Sequence, residues 1–185
     1  MIKIGLTGNI ASGKSTVEKI IVEAGFKVVD LDMVSHCVLE NECKNDILKT
    51  FNTTDRKKLG DIVFKDKNEL KKLENIIHPE LKKYVLKFFE DNKNEKAVFV
   101  SGALIFEAGF SDLFDKIIFV DAKRDIRINR LMKRNSLNEE EALLRIDAQS
   151  DKFKQKADFI LENNLDLKTL KENTGKIIIL LNNVI

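Results

Sequence analysis

The sequence of 185 residues predicts a three-layer α/β fold, a parallel sheet with helices on both faces. Three observations lead there. Short apolar runs alternate with helical patterns, and strands alternating with helices require a mostly parallel sheet. One run, Lys116–Val120, carries Ile117, Ile118, Phe119 and Val120 in succession, as a strand covered on both faces does. The first strand runs into Gly8-Asn9-Ile10-Ala11-Ser12-Gly13-Lys14-Ser15-Thr16 and then a helix, the strand–GxxxxGK[ST]–helix context of a phosphate-binding loop.

Composition narrows the class. At 21.2 kDa the chain suits one compact domain with its own core. Apolar residues at 43% and charged residues at 34% are the balance of a globular protein. The net charge of +2 is too small to argue for nucleic acid or a membrane surface. Neither a span-length apolar run nor a secretory pattern is present, because Ile4–Leu6 leads straight into the loop. Cys37 and Cys43 form neither a CxxC pair nor a zinc framework, so they read as two reduced thiols of a cytoplasmic protein.

Ile2, Ile4 and Leu6 alternate with Lys3 and Gly5 and define the first strand. Gly8 and Gly13 let the following backbone curl with its N–H groups inward, and the helix beginning near Lys14 adds its positive end. Lys14 can reach the β- and γ-phosphates of a nucleoside triphosphate, and the Ser15 hydroxyl can ligate Mg²⁺. The helix covers Lys14–Ala24, with Gly25 as C-cap. A second strand, Phe26–Asp30, ends in Asp30-Leu31-Asp32 before a helix over Met33–Leu39. In an extended segment Asp30 and Asp32 point to the same side. Beside a phosphate loop, a carboxylate there serves as a magnesium ligand through water or as acceptor of a hydroxyl proton; an Asp N-cap is the structural alternative.

From about Glu42 to Asn94 the pattern is helical and strongly charged, a lobe inserted between strands. Leu70, Leu73, Ile76 and Ile77 make one stripe; Leu81, Val85, Phe88 and Phe89 make another after Pro79, expected in the first turn of a new helix. His78 falls at that junction, as a capping or packing residue or as a substrate contact. The third strand, Ala97–Ser101, leads into Gly102-Ala103-Leu104-Ile105-Phe106-Glu107. After the fourth, Asp125–Arg134 reads as a helix with Arg127, Arg130, Lys133 and Arg134, and Asn138–Gln149 as another with Arg145. Such a run is either a solvated face or a device that neutralises a transferring phosphoryl group. Arg127, about two turns from Arg134, reads as surface. A fifth strand over Ala157–Leu161 and a terminal helix over Asp166–Leu181, interrupted by Gly175, complete the pattern.

Several of these stretches together resemble the dephospho-coenzyme A kinase family over nearly the whole chain. They are Leu6-Thr7-Gly8 with the loop, Asp30-Leu31-Asp32, the segment from Asp55-Arg56 through Phe64 to Ile76-Ile77-His78-Pro79, Leu104–Glu107, Arg130–Arg134, Ala148-Gln149 and Ala157-Asp158. The segment Asp55–Pro79 is the specific part. The resemblance implies the P-loop fold of the nucleoside monophosphate kinases: a five-stranded parallel sheet, a helical substrate lobe over 33–94 and a lid over 125–156, within a single domain 1–185. It implies transfer of the γ-phosphate of ATP, with Mg²⁺, to the ribose 3′-hydroxyl of dephospho-CoA, the last step of coenzyme A synthesis. Gly8 to Thr16 would hold the phosphates, and Asp32 would act on the 3′-hydroxyl. Arg56, His78, Pro79 and Glu107 would lie on the dephospho-CoA side, Arg134 would reach ATP from the lid, and Asn163 would lie near the adenine. A monomer acting on a small molecule, with no nucleic-acid or membrane partner, is expected.

The chain departs from the family pattern at Asn9 and Ala11, which replace glycines, and at Ser101 and Ala103, where an acid and a proline are common. Leu165 replaces a glycine, and the stretch between Gln149 and Asp158, with Lys152, Lys154 and Lys156, is short. A nucleoside monophosphate or shikimate kinase would share loop and lid but not the Asp55–Pro79 text. A GTPase-like switch would show DxxG and NKxD, which the chain lacks.

Overall fold

The computed structural model describes residues 1–63, 65–149 and 151–182. Phe64, which closes the family-like stretch beginning at Asp55, and Ser150, after Gln149, lie outside them. The chain divides into two compact units, Val29–Asp91 and the remainder, Met1–Val28 with Asn92–Ile185.

The larger unit is organised by β1 (Ile2–Gly8), β3 (Ala97–Ser101), β4 (Lys116–Asp121) and β5 (Phe159–Glu162). With β2 (Lys27–Asp30), in which the chain crosses between units, they form a five-stranded parallel sheet in the order β2-β3-β1-β4-β5. Its centre is β1, which pairs in parallel with β3 (Ile4 opposite Phe99) and with β4 (Leu6 opposite Ile118). Apolar side chains on both faces of these inner strands explain their continuous runs, for Val98, Val100 and Phe119 on one face are at most 3% exposed. On the other face, Ile4, Leu6, Phe99, Ile118 and Val120 are all at most 2% exposed. They pack with Val17, Ile20 and Ile21 of α1 (Lys14–Glu23) and with Leu170, Ile178 and Leu181 of α8 (Leu167–Asn182). Gly175 does not stop α8, since the apolar stripe continues beyond it. A second cluster joins Leu131 of α6 (Arg124–Asn135) to Ala142 and Ile146 of α7 (Glu139–Asp147), with Ile10 and Ala11 of the loop packed against it. Asn138 and Glu141 close a capping box at the start of α7.

The smaller unit is helical: α2 (Leu31–Glu40), α3 (Lys44–Phe51), α4 (Arg56–Val63) and α5 (Lys67–Asp91). Two expectations are corrected here. Asp30 and Asp32 do not lie side by side in extended chain, because α2 begins at Leu31. Asp30 caps it, accepting the Asp32 N–H at 2.8 Å, which places Asp32 in the first turn. Pro79 does not open a new helix, for α5 runs through it for 25 residues. Proline removes one intrahelical bond, but Leu73, Leu81, Val85 and Phe89 are buried on both sides of it and hold the two halves in one continuous helix. Three residues before the proline, the Ile76 carbonyl accepts a bond from the buried Cys43 thiol at 3.4 Å. His78 therefore sits mid-helix and half-buried, not at a junction. Burial lowers its pKa, with the Glu74 charge acting the other way.

Candidate active site

The phosphate loop is built by close packing as much as by glycine freedom. Gly13 has φ 101°, and a Cβ there would run into the side-chain amide of Asn163. Gly8 is in extended strand, where a Cβ would strike the Val120 carbonyl and the Ser12 hydroxyl. Ala11, standing where the family has glycine, nonetheless adopts φ 60°, a left-handed conformation that costs a non-glycine residue about 1 kcal/mol or more. Its packing against the α6–α7 cluster over-determines that conformation.

Neighbouring elements hold the loop. The Ile10 N–H donates to Gln149 Oε1 at 2.6 Å, and the Ser12 N–H to the Asn9 carbonyl at 3.1 Å. The Ser12 carbonyl accepts from Asn163 Nδ2 at 2.8 Å and from Arg130 Nη1 at 3.3 Å. Arg130 Nη2 in turn donates to the Asn163 backbone and side-chain oxygens at 3.0 and 3.3 Å. Burial lowers the Arg130 guanidinium pKa from its ordinary value, although arginine stays charged. The Ser12 hydroxyl is fully buried and has no hydrogen-bond partner among the described residues. The N-terminus of α1, the orphaned Ser12 hydroxyl and the Lys14 ammonium offer donors of the kind a triphosphate requires, so the loop fits one. Ser15, exposed in the first turn of α1, offers a hard oxygen suited to Mg²⁺. Lys14 Nζ lies 2.8 Å from Glu18 Oε1 and 2.9 Å from Ser101 Oγ.

Beside the loop, Lys123, Asn163, Asn164, Leu165 and Asp166 line part of a cleft of about 260 Å³ at the end of β5. Leu165, replacing the family's glycine, lines the cleft and is 71% exposed. Asn163 is buried, its side chain turned onto Ser12. Arg134 is exposed at the end of α6, donating to Asn135 Oδ1 at 2.8 Å. Arg127 is not surface: it is 5% exposed. Glu107 is exposed in the turns after β3, next to Phe106, whose ring stacks on Phe153 at 5.2 Å. Lys152 and Lys156 flank the Phe153 ring, and Lys154 pairs with Asp121 at 2.6 Å.

Four further sequence candidates belong to the helical unit. Asp32 is exposed on α2, Arg56 opens α4, and His78 and Pro79 lie within α5. Arg56 Nη2 meets His36 Nε2 at 2.8 Å; arginine can only donate, so His36 accepts. That links Arg56 to the helix carrying Asp32. The sequence alone does not mark Glu18, Arg130, Gln149 or His36 as site residues. Arg130 lies in the arginine run, and nothing in the spacing distinguishes it from its neighbours.

This loop, set between β1 and α1 of a five-stranded parallel sheet, defines a P-loop kinase. Solved structures agree on the fold: a shikimate kinase from Bacteroides thetaiotaomicron superposes with a TM-score of 0.58 at 19% identity, covering 97% of this chain and 98% of that one. A Campylobacter jejuni dephospho-CoA kinase gives 0.73 at 32% identity, over 98% and 97% of the two chains. The Thermus thermophilus protein TT1252 gives 0.84 at 32%, over 97% and 96%. Among curated relatives, a dephospho-CoA kinase of Listeria innocua is 42% identical, over 91% of this chain and 92% of that protein. One of Fusobacterium nucleatum is 37% identical, over 90% and 92%. The dephospho-CoA kinase family model matches residues 2–169. The chain belongs to the dephospho-CoA kinase family.

Proposed function

We propose that the chain transfers the γ-phosphoryl group of ATP to the ribose 3′-hydroxyl of dephospho-CoA, giving coenzyme A. The observation that carries this is the braced loop around Lys14 in a chain that the family model matches over residues 2–169. Gly8 to Thr16 hold the phosphates, and Lys14 meets the β- and γ-oxygens. Ser15 holds Mg²⁺, which supplies neutralising charge at the transferring group. Asn163 shapes the inner edge of the cleft that receives the adenine. Arg134 reaches the triphosphate from a lid over 125–156, while 33–94 is the substrate lobe of one kinase domain. Arg56, His78, Pro79 and Glu107 serve the dephospho-CoA side, and Asp32 takes the 3′-hydroxyl proton. No helix among the described residues is long and apolar enough to cross a membrane, and the chain acts on small molecules as a cytoplasmic monomer.

The test is ADP release from ATP·Mg²⁺ against dephospho-CoA, adenosine, AMP and shikimate, with Lys14→Ala as control. Dephospho-CoA should be the strongly preferred acceptor. Equal turnover of AMP or shikimate, or near-wild-type turnover by Lys14→Ala, contradicts the proposal.

A further inference from the structure

Lys14, Glu18 and Ser101 form a closed triangle. Lys14 Nζ donates to Glu18 Oε1 and to Ser101 Oγ, and the Ser101 hydroxyl donates to the same Glu18 oxygen. The lysine and glutamate side chains are only 12% and 14% exposed, and Ser101 is fully buried. This sets the pair apart from three other same-helix lysine–acid pairs among the described residues. Lys49–Asp46, Lys72–Glu69 and Lys83–Glu80 have lysines 56% to 80% exposed, and such surface pairs contribute little. The pair also runs in the less favourable order along the helix, lysine before glutamate, so helix stabilisation does not account for it.

A carboxylate beside a phosphate-binding lysine repels the anion that the lysine attracts. It also anchors the ammonium from α1, while Ser101 anchors it from β3, so two rigid elements set the position of one flexible side chain. We infer that Glu18 is a positioning residue for phosphoryl transfer. With Ser101 it fixes the Lys14 ammonium where charge develops in the transition state, and its own charge tempers the grip on phosphate in the ground state. The inference rests on the reading of Lys14 as the phosphate-loop lysine.

The triangle makes two separable predictions. Glu18→Gln keeps size and hydrogen bonding but loses charge: ADP, titrated without divalent cation, should bind about tenfold more tightly, while kcat falls about tenfold. Ser101→Ala keeps the charge and loses one anchor, so kcat should fall with ADP affinity unchanged. A residue that merely supported the loop would weaken ADP binding in both variants. Unchanged kcat in either variant, or ADP affinity that does not rise in Glu18→Gln, overturns the inference. Should Glu18→Gln fail to fold, unchanged kcat in Ser101→Ala still overturns it. Wild-type turnover of dephospho-CoA, measured alongside, judges the acceptor separately: its absence refutes the proposed reaction and leaves the ADP affinities to judge Glu18.

Discussion

The side-chain amide of Asn163 donates to the carbonyl of Ser12 across 2.8 Å, joining the end of β5 to a phosphate loop 151 residues earlier. The same asparagine occupies the space a Cβ on Gly13 would need, and its oxygens accept from Arg130. The loop is thus held by partners remote in sequence. Asn163→Ala should lower stability by about 1–3 kcal/mol, the cost of leaving buried partners unsatisfied, and should raise KM for ATP. Thermal denaturation and steady-state kinetics check both.

Arg130 and Arg134 lie one turn apart on α6 in different surroundings. Arg130 is half-buried against the loop, whereas Arg134 is exposed. Arg130→Ala should therefore reduce the melting temperature. Arg134→Ala should leave it nearly unchanged while lowering kcat by roughly 10³, the scale of a catalytic arginine. Equal melting temperatures and equal kcat for the two variants contradict these roles.

Asp32→Asn keeps size and hydrogen bonding and removes basicity. As general base, Asp32 should account for about 10²–10⁴ in kcat, with little change in KM for dephospho-CoA. Partial rescue by raised Mg²⁺ would instead mark it as a metal ligand. Asp30→Asn should cost less in kcat, since Asp30 caps α2.

His78 gives a pH-dependent signature. Burial lowers its folded pKa below the unfolded value near 6.5. The unfolded chain then binds the proton more readily, so the contribution is intact above about pH 6.5 and is lost as pH falls below it. Denaturant titrations of wild type and His78→Gln between about pH 7.5 and 5.5 should show the variant losing less stability on acidification.

Most of the sheet was legible because its signals are local. Ala97–Ser101 carries a continuous apolar run and was read with its observed limits. The loop was legible because its glycines, lysine and serine are adjacent in sequence. What was hidden depends on contacts between distant residues. Nothing near Glu18 reveals that Ser101 closes on it, and nothing near Arg130 reveals Asn163. Pro79 misled because burial of the α5 stripe outweighs one missing backbone bond. Asp158, part of the family-like text, proves structural. It accepts from Lys116 Nζ and the Ile117 N–H, both at 2.8 Å, and ties the approach to β5 onto β4. Burial opposes its ionisation, but those bonds and the Lys116 charge hold its pKa below the usual carboxylate value.

The most direct test of the central claim compares dephospho-CoA with its 3′-deoxy analogue, following transfer of the γ-phosphate of ATP to each. The analogue lacks only the proposed acceptor oxygen. The wild-type enzyme should phosphorylate dephospho-CoA and leave the analogue unmodified, while the analogue competes with dephospho-CoA for the site. Phosphate transfer to the analogue, or none to dephospho-CoA itself, would contradict the account.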